Sequence, residues 1–272
     1  MSLLKLQQLE LKILLELKRI CDKHNIQYFL MGGTLLGAVR HQGFIPWDDD
    51  IDIGMIRSEY NRFLEICSEE LSEEYFLQTA ETECAYASSF AKIRLNGTEY
   101  PEPQNYKVIN HNGIYIDVFP FDKTPNNVFL RKMHNLTLKG LNTISLVKCD
   151  YTLPDWSIIL KMLTVVSKLF SREKVIEMRS ELFNKFNNKN TKYYINSTLN
   201  IYPAHVFDKF IELEFEGINF PAPAGYHTYL ECAYGDYMQL PPEDERGRHT
   251  PFMPNFGKYA SHSLQKTPLH EV

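Results

Sequence analysis

Asp50 and Asp52, two carboxylates one residue apart, stand where chemistry is most easily imagined. Ile51, Ile53 and Met55 alternate with them, so the segment reads as a strand with one buried face. Alternate strand residues face the same side, which sends both carboxylates into one site. Carboxylates held side by side repel each other, and a divalent cation relieves that repulsion. Hard oxygen ligands and substrate phosphates suit Mg²⁺, with Mn²⁺ in its place as the variant. Metal ions held this way clamp the attacking and leaving oxygens of a displacement at phosphorus. Asp48 and Asp49 add negative charge, and alternation turns Asp49 away from Asp50.

Upstream, the apolar run Tyr28-Phe29-Leu30-Met31 ends at Gly32-Gly33 and a short helix follows, predicted over 34–39. Bare backbone at such a turn lets N–H groups approach a phosphate, and the start of a helix adds partial positive charge. A third carboxylate is expected from Asp117, alone among Ile114, Tyr115, Ile116, Val118 and Phe119, where an unpaired acid is costly. Asp122, beyond Pro120, is expected in a loop. Cations for phosphate oxygens are available at Arg40, after the turn helix, and at Lys92 and Arg94, which share one face of a strand. The competing reading of Lys92 and Arg94 is a charged edge strand.

The elements that must position these groups can be read from periodicity. Leu3, Leu6, Leu9, Ile13, Leu17 and Ile20 predict an amphipathic helix over 3–24, with Lys5, Glu10, Lys12, Glu16 and Lys18 on its polar side. A strand is expected over 50–55, and a helix over 58–71 with Ser58 as its N-cap. Further strands are expected at 75–78, 88–95 and 113–119. Residues 126–187 read as mostly helical with a break at Leu153-Pro154. Another helix is predicted over 206–216, a turn over 221–225, and irregular chain over 241–272.

Composition narrows the function classes. The chain has 272 residues, 44% hydrophobic and 23% charged, the profile of an ordinary globular protein. Its net charge of −5 argues against generic binding of nucleic acid. Cys21, Cys67, Cys84, Cys149 and Cys232 are scattered, with no Cys-x-x-Cys pair, so buried free thiols in a reducing compartment are expected. The N-terminus lacks the pattern of a signal peptide, which makes a cytoplasmic location the expectation. Charge is uneven: residues 123–192 carry 13 Lys/Arg and 5 Asp/Glu, net +8, against net −13 for the remainder. Around Trp156, Ile158, Leu160, Met162 and Leu163 that basic segment is also strongly apolar. A solvated, packed helical region is one reading, and a surface meeting anionic lipid headgroups is the other.

At this point the residues carry a resemblance. The string from Gly33 through Arg40-His41 and Gly43-Phe44-Ile45-Pro46-Trp47 to Asp48-Asp49-Asp50-Ile51-Asp52 resembles the LicD family, which includes phosphocholine transferases. Tyr234-Gly235-Asp236-Tyr237-Met238, followed by Leu240-Pro241-Pro242-Glu243 and Arg246, is similar to that family's C-terminal motif. Where the family often continues with adjacent histidines, this chain reads Arg246-Gly247-Arg248-His249-Thr250. Fukutin and fukutin-related protein carry a similar domain.

The resemblance implies an α/β (α+β) fold: a nucleotidyltransferase-like domain with a small mixed sheet and a helical insertion. On that basis residues 1–122 form the catalytic core, 123–192 a basic helical subdomain, and 193–272 a segment completing the site. It implies transfer of phosphocholine from CDP-choline to a sugar hydroxyl of a lipid-linked glycan precursor at the inner face of the cytoplasmic membrane. Acceptors of this kind are teichoic acid, lipopolysaccharide or capsule precursors. Asp50, Asp52 and Asp117 would hold the metal, with Asp117 also a candidate base. Gly32, Gly33, Thr34, Lys92, Arg94 and His249 would bind the donor phosphates, and Arg40 would neutralise charge in the transition state. His41 is a further candidate. A choline group needs aromatic walls, for which Phe44, Trp47, Tyr115 and Tyr237 are candidates. Two alternatives stay open: transfer of ribitol phosphate or glycerol phosphate from a CDP donor, and an NTP-dependent nucleotidyl transfer that releases pyrophosphate.

Overall fold

A computed structural model describes residues 2–153 and 158–260, so Trp156 and the tail beyond 260 lie outside the described residues. Helix α1 (Ser2–His24) buries Leu6, Leu9, Ile13, Leu17 and Ile20 completely, as the periodicity predicts. Glu10, placed on the polar side, is buried as well, and so is Gln7. Strand β1 (Phe29–Leu30) leads into α2 (Gly32–His41), which begins on the Gly pair itself rather than after it. Strand β2 (Asp52–Ile56) and helix α3 (Arg57–Glu70) follow. Ser58 is not the cap of α3: Ile56 holds that position without a side-chain bond.

Strands β3 (Tyr75–Gln78), β4 (Ala91–Leu95) and β5 (Tyr115–Thr124) complete a mixed sheet of order β1-β2-β5-β4-β3. Parallel β2 and β5 put Asp52 beside Asp117, and antiparallel β4 puts Lys92 beside Asp117. Regular pairing of β2 begins at Asp52, but the Ile51 carbonyl already accepts the Asp117 amide at 2.8 Å. Asp50 is therefore held on an extended lead-in to the strand.

β5 does not stop at Pro120. Its antiparallel partner changes there: β4 pairs through Val118, and β6 (Tyr193–Asn196) pairs from Phe121 onward. Proline lacks an N–H, and it sits where neither of these partners asks for one. Asp122 is consequently a strand residue, fully buried, and not part of a loop.

Helices α4 (Val128–Lys148), α5 (Ile158–Ser167) and α6 (Arg172–Asn184) form the expected helical stretch. Leu141, Ile144 and Val175 make their shared core, with Leu163 and Phe170 packed on it. After β7 (Ile201–Pro203), the helix expected over 206–216 is replaced by a short turn and a hairpin, β8 (Phe210–Phe215) and β9 (Ile218–Pro223). The reason is local: Glu216 (φ 53°) and Gly217 (φ 79°) form a two-residue turn with both residues left-handed, the geometry that hairpins prefer. The expected 221–225 turn is mostly strand for the same reason. Helix α7 (Tyr226–Tyr234) precedes the largely irregular C-terminal stretch. Cys21, Cys67 and Cys149 are buried free thiols, whereas Cys84 and Cys232 are exposed.

Candidate active site

The start of α2 is shaped by carboxylates. A Cβ at Gly32, whose φ is +54°, would lie 2.5 Å from Asp52 Oδ2, and one at Gly33 would lie 2.7 Å from Asp48 Oδ2. Any side chain there would collide with an acid, so the glycines admit the carboxylates as well as baring the backbone. The helix has no side-chain N-cap; the Gly32 amide donates to Tyr229 Oη at 3.2 Å. Thr34 is buried, and its hydroxyl accepts the Asp52 amide at 2.8 Å. It anchors the second carboxylate rather than standing open to a phosphate.

Four carboxylates then crowd together: Asp48, Asp50, Asp52 and, through the sheet register, Asp117. Burial, opposed by His249 and reinforced by Asp49, pushes Asp48 up to about 6. Burial and the neighbouring Asp48 push Asp50 up to about 7. Asp52 is raised well above the usual carboxylate range by burial, then by Asp50 and Asp117. Asp117 reaches about 7 from burial, although Lys92 donates to its Oδ1 at 2.6 Å. Among the described residues no hydrogen-bond donor reaches the Asp52 carboxylate. Buried oxygens rich in charge and poor in donors are what a hard divalent cation satisfies, so these residues fit Mg²⁺ or Mn²⁺.

A second grouping brings one ligand atom each from Asp48, Asp49 and His249 within 4.8 Å of one another. Asp49 is already saturated. It accepts Tyr100 Oη at 2.6 Å, the His249 amide at 2.8 Å, His249 Nδ1 at 3.0 Å and the Thr250 amide at 3.3 Å. Those bonds pin the C-terminal segment across the site. Alternation does not hold here: residues 48–50 precede the strand, and Asp49 and Asp50 both face His249 Nδ1, at 3.0 and 3.3 Å. The same bond to Asp49, then Asp50, raises His249 to about 10. Its Nδ1 lies 3.3 Å from Asp50 Oδ2.

The cations of β4 share one face, as expected, but that face is closed. Lys92 bridges Asp117 and Glu102, the latter at 3.1 Å. Arg94 is fully buried and donates to Gln78, to the Gly113 carbonyl at 2.8 Å and to Glu102 at 2.8 Å. Burial opposes it, yet Lys92 and Arg94 hold Glu102 down to about 2. Neither cation opens onto the cleft; both position Asp117 and its strand. Arg40 is the cation that does reach the open site. Its guanidinium donates to the Tyr237 carbonyl at 2.9 Å, and its buried Nε has no partner.

The open site is a cleft of about 590 Å³ lined by Gly33, Arg40, Asp48, Asp50, Asp52 and His249, with Trp47, Tyr234 and Tyr237 as its aromatic walls. Arg246 lies over the Trp47 ring, 5.2 Å from its centroid, so that ring already carries a cation. Two other expected walls are elsewhere. Phe44 packs against Phe215 at 4.9 Å, and Tyr115 is covered by Lys92 at 3.6 Å and Arg94 at 4.8 Å. His41 lies outside the cleft lining, its Nδ1 buried without a partner. A second cavity of about 200 Å³, bordered by Arg57 and Arg179, holds none of the predicted site residues.

Sequence reasoning missed Glu10, Glu102, Tyr100 and Tyr234. Glu10 is buried in α1 beneath the cluster, and burial with Asp50 and Asp49 raises it well above its usual range. The available signal was that Gln7 and Glu10 flank the leucine stripe; Gln7 donates to the Asp48 carbonyl at 2.9 Å. Glu102 was implied by charge balance, since two buried cations need more than the single carboxylate of Asp117.

Residues 25–142, which hold this cluster apart from the C-terminal strap, match the family described as LicD/FKTN/FKRP, nucleotidyltransferase domain. The lipopolysaccharide cholinephosphotransferase LicD of Haemophilus influenzae is 33% identical over 244 residues, covering 85% of this chain and 89% of that protein. An uncharacterised protein of Rickettsia typhi, RT0683, is 53% identical over 47 residues, 17% of this chain and 15% of its own. The human ribitol 5-phosphate transferase FKRP is 47% identical over 36 residues, 13% of this chain and 7% of that protein.

Proposed function

The chain belongs to the LicD family, and on that premise we propose that it transfers phosphocholine from CDP-choline to a sugar hydroxyl of a cell-surface glycan precursor, releasing CMP. The observation that carries this reading is the cleft itself. One space joins a donor-poor carboxylate cluster, an arginine with no carboxylate partner among the described residues, and a tryptophan whose ring already draws the Arg246 cation. The name of the Haemophilus relative supports choline as the alcohol, and the acceptor is then a lipid-linked teichoic acid, lipopolysaccharide or capsule precursor at the inner membrane face.

The residues divide the work as follows. Asp48, Asp50, Asp52 and Asp117 would hold Mg²⁺ or Mn²⁺, which when bound neutralises the diphosphate oxygens. The Gly33 and Thr34 amides at the start of α2 and the Arg40 guanidinium bind the remaining phosphate charge. The acceptor oxygen bonds to the choline-bearing phosphorus as the bond from that phosphorus to the CMP oxygen breaks, and its electron pair leaves with CMP. The hydroxyl proton passes to Asp117, which lies behind the cleft lining beside Asp52 with its Oδ1 held by Lys92.

CMP release tests the proposal, using purified protein, Mg²⁺, a lipid-linked glycan fraction and each donor in turn. CMP from CDP-choline is the expected result. CMP only from CDP-ribitol or CDP-glycerol transfers the reading to those alcohols, in keeping with the short FKRP match. Pyrophosphate from an NTP, with no CMP from any CDP-alcohol, overturns it.

A further inference from the structure

Helices α4 and α5 break the usual rule for surface helices. Phe129, Met133 and Leu136 form one exposed stripe on α4 at i, i+4 and i+7. Ile158, Met162, Val165 and Leu169 form another along α5 and the turn after it, with Leu169 76% exposed. Lys132 and Lys139 border the first stripe, and Lys161 and Lys168 the second; all four are exposed. Neither helix contains a single Asp or Glu. Of the 19 large hydrophobics exposed among the described residues, 10 fall between Val128 and Leu169. Such a concentration marks an interaction surface, not scattered solvent contact.

We propose that the exposed apolar stripes of α4 and α5 dock the protein on an anionic lipid surface. Charge chooses the occupant. Apolar side chains flanked by lysines match a bilayer that offers acyl chains beneath negative headgroups. A second copy of the chain would set lysine stripe against lysine stripe, and like charges oppose that contact. The net charge of +8 over residues 123–192 against −13 for the remainder also orients the molecule, because an anionic surface attracts this face and repels the rest. No described helix is long and apolar enough to cross a membrane. The lipid-linked acceptor proposed above gives the docking a purpose, but docking is read without any donor or turnover.

Flotation with vesicles tests it. The full chain should float with phosphatidylglycerol-containing vesicles at low salt, stay behind with pure phosphatidylcholine, and be released at about 0.5 M salt. Lys161→Gln with Lys168→Gln should weaken partitioning about fivefold for each lysine, roughly 25-fold together. Phe129→Gln with Met162→Gln and Leu169→Gln should weaken it at least about tenfold. All five positions are exposed, so thermal melting is expected to be unchanged. Failure of the wild-type chain to float with anionic vesicles at low salt overturns the proposal. So does equal flotation of the folded variants, or a dimer in solution that the apolar substitutions dissolve without any vesicle binding. Failed CMP release with intact flotation would remove the proposed reaction and leave the docking face standing.

Discussion

Asp117 and Asp122 lie five residues apart on one strand, both buried, and strand alternation sends them to opposite faces. On one face Asp122 is completely answered. Arg57 donates to both its oxygens, at 2.8 and 2.6 Å, and Asn187 adds a bond at 2.7 Å. This lock joins the start of α3 to the loop after α6. On the other face Asp117 receives one lysine and then meets Asp52, Asp50 and Glu102. The same residue type at the same depth serves architecture where donors outnumber its oxygens, and chemistry where carboxylates outnumber donors. Burial by itself does not distinguish the two; the census of partners does.

Neutralising one acid on each face should separate these roles most sharply. Asp52→Asn should lower transfer by a factor on the order of 10³ or more, because it removes charge that acts on the reacting phosphates. Its melting temperature should hold or rise, since repulsion is relieved, and steady-state CMP release alongside calorimetry reads both. Asp122→Asn should do the reverse. Breaking a buried pair while leaving Arg57 in place costs about 3–5 kcal/mol in denaturant unfolding, with the activity of the folded fraction kept.

A smaller effect follows from pH. Asp48, Asp50 and Asp117 have folded pKa values near 6, 7 and 7, above the ordinary 3.8, so the folded state binds protons more readily than the unfolded chain. Metal-free protein should therefore lose stability as pH rises from about 4 through 7. His249, raised to about 10, acts in the same direction between its ordinary 6.5 and that value, softened by the exposure of its ring. Mg²⁺ should offset the loss, raising the melting temperature by about 3 °C or more at pH 8 and by less at pH 5. An equal metal effect at both pH values would break the contrast between the two faces of β5.

The smallest effect belongs to the aromatic wall. Trp47→Ala should raise KM for CDP-choline about tenfold and leave KM for CDP-glycerol nearly unchanged, because only choline carries a cation to stack. Parallel initial-rate series with the two donors would show the difference, and an equal change for both would remove Trp47 from choline recognition.

Much of the acidic face was legible because its signals are local. Asp50-Ile51-Asp52 states its own alternation, Gly32-Gly33 its own lack of side chains, and the buried Asp117 its own anomaly. The helical 126–187 stretch was legible for the same reason. Residues whose meaning depends on a distant partner were not. Asp122 was placed in a loop because Pro120 hides a change of strand partner from β4 to β6. Glu10 was counted as solvated because only the tertiary position of α1 brings its polar flank under the site. Lys92 and Arg94 were correctly placed on one face but assigned to phosphate, since Glu102 reaches them from a loop with no periodicity. The β8 strand was read as part of a helix over 206–216 although Ile211-Glu212-Leu213-Glu214-Phe215 alternates, and Glu216-Gly217 was the overlooked punctuation.

The central claim is that the Asp117 face of β5, where Asp52 of β2 lies alongside, holds a divalent cation and the Asp122 face does not. Titrating Mn²⁺ into metal-free protein at pH 8, with bound metal followed by electron paramagnetic resonance, tests it directly. The wild-type chain and Asp122→Asn, measured where it remains folded, should bind Mn²⁺, and Asp52→Asn should bind it at least about tenfold more weakly. Undiminished binding by folded Asp52→Asn would contradict the account.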